Sequence, residues 1–223
     1  HGLSATERRA VWGILAVAVA VRVLAIVVLF ATSEPGTNPS FFWDGDGVYL
    51  KHRSLVIRNV WLGVPIETVE FTNGFSRLYG WSSYLYVLAY LQYLTGPSTF
   101  GVHLLNVFLF ISAAVVLFRM VRPTFGAASA WLGLALMLLL PTLIAWSVAA
   151  LKEALYVLLT AVALRAVVMA ARAVPAYARL AGLALLVGAI AANSTVRMGA
   201  SVIMGGGILI GLSLIHISEP TRL

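Results

Sequence analysis

The chain contains no cysteine. That excludes a disulfide framework, a thiolate zinc site and a cysteine nucleophile. Charge is nearly as scarce. Asp, Glu, Lys and Arg make up 10% of the 223 residues, against about 25% in an average soluble domain. So little charge cannot cover a surface that faces water. No basic tract with interleaved aromatics is present, which sets nucleic acid aside as a partner. No internal repeat of solenoid period occurs. What the chain does have is apolar: 61% of it is hydrophobic and its mean hydropathy is +0.96. Both values mark an integral membrane protein. The expected fold class is all-α, a polytopic membrane helical bundle.

Each crossing needs about 20 apolar residues to pass ~30 Å of hydrocarbon. Apolar runs place spans at 10–31, 100–121, 126–146, 151–172, 179–196 and 198–214. The net charge of +7 reports orientation, because Lys and Arg gather in cytoplasmic loops. Arg8 and Arg9 put residues 1–9 in the cytoplasm, and Arg119, Arg122, Arg165, Arg172 and Arg179 fall on the same side if 79–95 does not cross. That segment carries Tyr79, Trp81, Tyr84, Tyr86, Tyr90 and Tyr93, a density typical of the headgroup level. It is therefore read as lying on the surface. Residues 32–99 become a long external loop, with an amphipathic interfacial helix near 46–62 ended by Gly63, Pro65 and Asn73-Gly74. Pro123 and Pro175 mark the two cytoplasmic turns. Residues 10–214 form one transmembrane module. The last nine, Ile215 to Leu223, break with the preceding composition and resemble translated adapter sequence. They are expected to be a non-native or truncated tail.

The stretch Phe41-Phe42-Trp43-Asp44-Gly45-Asp46-Gly47-Val48-Tyr49-Leu50 holds two of the chain's eight acids, one residue apart. Asp44 and Asp46 are candidate catalytic bases, since a carboxylate within reach of an acceptor proton can remove it. The competing reading is a solvated turn. A divalent cation on the two acids is a lesser option, because no third ligand is evident; no metal site and no cofactor are expected. Lys152-Glu153 interrupt a later apolar region, and charge at membrane depth is a functional-site hypothesis. A plain helix start, capped by Ser147, is the alternative. Arg197 opens the last span, where it holds a phosphate or snorkels to the interface. Tyr49, Lys51 and Arg53 are further substrate-binding candidates; of the basic Lys51, His52, Arg53 and Arg77, most are expected to be solvated and one to touch substrate. Arg22, near the middle of the first span, is read as structural. His103 and Asn106 are read as interhelical hydrogen-bond partners.

These pieces in this order resemble the N-terminal membrane module of the GT-C glycosyltransferases. The likeness is greatest to bacterial polyprenyl-phosphate-sugar-dependent enzymes related to protein O-mannosyltransferases and lipid A aminoarabinose transferase. It rests on the span with Arg22, the acidic motif Asp44-Gly45-Asp46-Gly47-Val48-Tyr49, two interfacial helices, a span running to Phe125-Gly126, the pattern Pro141, Ser147, Lys152, Glu153, and Arg197. It covers nearly all of residues 10–212. The family often has adjacent Asp-Glu where this chain has Asp-Gly-Asp, and relatives continue through several more spans. The resemblance implies an inverting, metal-independent or weakly metal-linked transfer of a sugar from a polyprenyl-phosphate donor to a lipid, glycan or protein acceptor. Asp46 or Asp44 would be the base. Arg197 and Lys152 would stabilise the leaving lipid phosphate, and Glu153 would orient the acceptor or a basic neighbour. The site would lie on the external face of the plasma or inner membrane, in the bacterial cell envelope. A transporter or lipid flippase, or a non-catalytic membrane scaffold, are the alternative functions.

Overall fold

Inside lipid an apolar segment has no water to bond its backbone, so each span must close its own N–H to C=O ladder as a helix. The computed structural model describes residues 4–34, 44–75, 82–172 and 175–208, and among these it contains helices and no strand. In chain order these are α1 (Ala5–Thr32), α2 (Asp44–Trp61), α3 (Thr68–Phe75), α4 (Tyr84–Thr95), α5 (Thr99–Leu139), α6 (Pro141–Val148), α7 (Glu153–Arg172) and α8 (Ala176–Val196). Helical backbone resumes over residues 200–208. Four helices, α1, α5, α7 and α8, are long and apolar enough to cross a membrane. Their outward faces carry Trp12, Leu24, Val28, Phe108 and Leu180 in the open, as lipid-facing surface should. The chain is an all-α polytopic membrane protein. Expectations for Arg77, Tyr79, Trp81 and the tail 215–223 fall outside the described residues, as does the side chain of Asp44.

Local sequence sets the helix ends. Ser4 and Glu7 form a reciprocal capping box: the Ser4 amide donates to Glu7 Oε2 at 2.7 Å and the Glu7 amide to Ser4 Oγ at 3.2 Å. This supplies acceptors to donors that the first helical turn leaves over. Arg122 clamps the same carboxylate, with Nη2 2.8 Å from Oε2 and Nε 3.3 Å from Oε1. That fork, outside the apolar stretch of α1, holds the Glu7 carboxyl below the usual carboxylate range.

The spans expected at 100–121 and 126–146 are the two arms of an antiparallel hairpin. The turn is not made at Pro123, which stays within the helix, but at Gly126, where φ is +83°. A residue with a Cβ rarely adopts that value. Phe118 and Ala130 share a groove close to the turn. Far from it, His103 meets the Val148 carbonyl at 2.6 Å. The second arm is interrupted: α5 stops at Leu139 before Pro141, and residues 149–152 between α6 and α7 are not helical. Val11 and Ala18 of α1 pack with Leu109, Phe110, Phe118, Leu134 and Leu138 of both arms in the main core.

Helix α4 has 12 residues, or about 18 Å at ~1.5 Å per residue, too short for ~30 Å of hydrocarbon. It does not cross, as the sequence suggested. Its aromatics are not all at the headgroup level, however: Tyr90 and Tyr93 are exposed while Tyr84 is wholly buried. Helix α2 packs on α4, where Gln92 Nε2 donates to Ser54 Oγ at 2.7 Å and Arg58 Nε to the Gln92 carbonyl at 2.9 Å. Asn73-Gly74, expected to break a helix, lies inside α3.

Charge is divided between the ends. Arg8, Arg9, Arg119, Arg122, Arg172 and Arg179 stand where α1 and α8 begin and α5 turns, with Glu7 the one acid there among the described residues. Glu34, Asp44, Asp46, Glu67, Glu70 and Glu153 belong to the opposite end, interleaved there with Lys51, Arg53, Arg58, Lys152 and Arg197. The described acids, apart from Glu7, are thus confined to that end, the acidic end.

Helices α7 and α8 approach closely at Gly182. A Cβ there would stand 2.8 Å from the Ala170 amide nitrogen and 3.1 Å from the Ala166 carbonyl oxygen. Backbone atoms cannot swing aside, so Gly182→Val must push the helices apart. We expect it to lower stability by about 1–3 kcal/mol, while Gly188→Val, with open space around its Cβ, changes it little. Thermal unfolding in detergent distinguishes the two; equal midpoints would exclude a tight α7–α8 seam.

Candidate functional site

The non-helical break 149–152 sits at the acidic end and is bound from several elements. The Ala149 and Leu151 carbonyls there lack helical donors, which is costly in lipid unless other groups provide them. Asn106 on α5 does so: Nδ2 donates to the carbonyls of Ala149 and, at 2.9 Å, Leu151. Its Oδ1 accepts from the Tyr84 hydroxyl at 2.7 Å. His103, one helical turn earlier, faces the Val148 carbonyl, and because a carbonyl only accepts, His103 carries its proton on Nδ1. Leu50 of α2, Tyr84, Leu85 and Leu88 of α4, and Ala149, Ala150 and Leu151 share one apolar cluster. This cluster joins α2, the acid-bearing helix, and α4 with the segment that leads into Lys152 and Glu153.

Glu153 opens α7 half-buried, and its Oε2 is enclosed with no hydrogen-bond partner among the described residues. Burial pushes the Tyr84 hydroxyl well above its ordinary pKa, and the negative charge of Glu153 adds to the effect while the Asn106 hydrogen bond opposes it. Lys152 precedes α7, half-buried, with its carbonyl accepting from the Tyr156 amide at 3.0 Å. Arg197 follows α8, and its guanidinium lies 6.0 Å from the centre of the Tyr156 ring. Tyr156 is three residues from Glu153, on the same face of α7. The α8 end is fastened to the start of α4: Ser82 Oγ donates to the Val196 carbonyl at 2.8 Å, and the Ser83 amide to the Thr195 carbonyl at 2.9 Å. Glu153, Tyr156 and Arg197 are therefore held at one end together with Tyr84 and Asn106.

Other candidates sit differently. Asp46 is in the first turn of α2 and exposed. Lys51 and Arg53 were expected on a solvated helix face, yet they are only 2% and 1% exposed. Arg53 Nη1 donates to the Tyr49 hydroxyl at 3.0 Å, with its guanidinium 5.1 Å from that ring's centre; a spacing of four residues joins the pair along α2. His52 is exposed. Ser147 does not cap α7. It lies within α6, accepting from Arg22 at 2.8 Å and donating to the Ile144 carbonyl at 2.8 Å. Tyr84 and Tyr156 were not singled out from sequence as site residues. The Glu153-x-x-Tyr156 spacing was a usable signal for the second; Tyr84 had none, because its partner lies on another helix.

The chain matches no protein-family model, no curated protein and no solved structure. A functional reading therefore stands on the geometry of this end of the bundle.

Proposed function

We propose that the chain is the membrane module of a GT-C-like glycosyltransferase, moving a sugar from a polyprenyl-phosphate donor to an acceptor at the acidic end of the bundle. The observation that supports this most is one apolar cluster that holds Leu50 of α2, the helix of the two aspartates, together with Leu151 beside Lys152-Glu153, at the end where Arg197 also lies. A lipid-linked sugar needs such a place, with hydrocarbon for its tail and water for its sugar. Asp46 or Asp44 takes the proton from the acceptor. The acceptor then attacks the anomeric carbon, and the bond to the donor phosphate breaks with its electron pair left on phosphate. Arg197 and Lys152 counter the charge that develops there, where fixed positive charge lowers the barrier. Glu153 orients the acceptor or a neighbouring base. Tyr49 and Arg53, bonded to each other, and buried Lys51 shape the face of α2 next to the acids. The excess of arginine at the opposite end supports a cytoplasmic placement for that end, and so an external site in the plasma or inner membrane.

Asp44→Asn and Asp46→Asn, made singly in the full-length protein, test the base. One of them is expected to lower transfer from polyprenyl-phosphate sugar by about a hundredfold, the low end for loss of a general base. Full activity in both variants rejects the assignment.

A further inference from the structure

The basic end carries a second site of different chemistry. Where α5 turns beside α7, a groove of about 320 Å³ is lined by Arg119, Thr124, Arg165 and Arg172, with Met120 and Met169 on its apolar side. Among the described residues, no carboxylate lines it. Arg122 nearby is neutralised by Glu7, but Arg119 and Arg165 have no hydrogen-bond or ion-pair partner among the described residues. Arg172 has a neutral one: its Nη1 donates to Thr124 Oγ1 at 3.1 Å, which aims the guanidinium across the gap from α7 to α5. Three like charges around one groove repel each other until an anion joins them, and guanidinium forks match phosphate oxygens two at a time.

We propose that this groove binds the phosphodiester headgroup of an anionic phospholipid from the leaflet that meets the basic end. The occupant is a lipid because the groove's apolar wall, Met120 and Met169, belongs to the membrane-crossing helices α5 and α7. An acyl chain lies there while its phosphate sits among the arginines. Basic clefts between spanning helices are suited to such headgroups. The site is independent of the acidic end and of any transferase activity.

The test uses the full chain in detergent micelles, supplemented with phosphatidylglycerol, phosphatidylcholine or inorganic phosphate, and follows thermal unfolding. Phosphatidylglycerol is expected to raise the midpoint at concentrations where the other two leave it unchanged. In Arg165→Gln/Arg172→Gln the half-maximal phosphatidylglycerol concentration rises roughly thirtyfold, from two lost charges near the membrane surface. Arg119→Gln, a change to one exposed side chain, gives roughly fivefold and decides the matter should the double variant not fold. An equal rise with phosphatidylcholine overturns the proposal in favour of unselective lipid. An equal rise with inorganic phosphate overturns it in favour of a free-anion site. Unchanged phosphatidylglycerol dependence in the variants places the lipid elsewhere and also overturns it.

Discussion

Replacing Arg22 with alanine is expected to cost about 3–5 kcal/mol of stability, the net of an unpaired buried acceptor and a cavity against the release of a buried cation. Arg22 is completely buried in the middle of α1. Its Nη1 donates to the Leu138 carbonyl at 2.8 Å and to the Ala18 carbonyl at 3.1 Å, while Nε donates to Ser147 Oγ at 2.8 Å. Phe110 lies against the guanidinium, 5.5 Å from the ring centre. The reason lies in Pro141, which ends the α5 ladder and leaves the Leu138 carbonyl without its helical donor. Arg22 supplies that donor from another helix, joining α1 to both sides of the break. Alanine removes it, and an unsatisfied buried acceptor costs about 1–3 kcal/mol. A cavity where a large buried side chain stood adds about 2–5 kcal/mol. Release from burying a cation offsets part of the sum. Arg22→Lys keeps the charge but cannot bond Ser147 and Leu138 through one planar fork, so an intermediate loss is expected. Chemical unfolding in micelles measures both. An alanine variant as stable as the parent would show that the break at Pro141 holds without Arg22.

This latch explains what the sequence could reveal and what it could not. Spans are written in composition: a run such as 10–31 has one solution in lipid, and α1 follows. The short α4 was legible from its tyrosines and from the arginines that needed a common side. The hairpin turn was misplaced by three residues because proline is the louder signal, yet only a backbone with positive φ makes this turn, and Gly126 supplies it. The interruption at Leu140 was invisible, since apolar residues on both sides read as one span, whereas the break at 149–152 falls at the turn expected between the spans 126–146 and 151–172. Arg22, His103 and Asn106 look like isolated polar residues in the sequence. Their partners, Leu138, Val148 and Leu151, are backbone carbonyls 116, 45 and 45 positions away. A carbonyl has no letter of its own, so no residue pattern points to it. Burial of Lys51 and Arg53 was missed for a related reason: α2 alone looks amphipathic, but α4 covers part of it.

The same carbonyl logic makes Asn106 the residue on which the acidic end depends. Asn106→Leu keeps the volume and removes three hydrogen bonds at once: those to the Ala149 and Leu151 carbonyls and the one from the Tyr84 hydroxyl. The Leu151 carbonyl and the Tyr84 hydroxyl are left buried and unpaired, at about 1–3 kcal/mol each, while the Ala149 carbonyl still accepts from the Leu151 amide at 2.8 Å. Since the groups are neighbours their costs do not simply add, and a total of about 3–5 kcal/mol is expected. Tyr84→Phe removes the hydroxyl and leaves both carbonyls bonded, so about 1 kcal/mol is expected there. The difference between the variants isolates the hold on residues 149–151. Because Leu151 leads directly into Lys152 and Glu153, a slack break also lets that pair drift. Any transfer activity should therefore fall further in Asn106→Leu than in Tyr84→Phe at a temperature where both remain folded. Equal stability losses in the two variants would mean that the tyrosine bond, not the carbonyl bonds, carries the weight, and that the break is held by His103 and apolar packing instead.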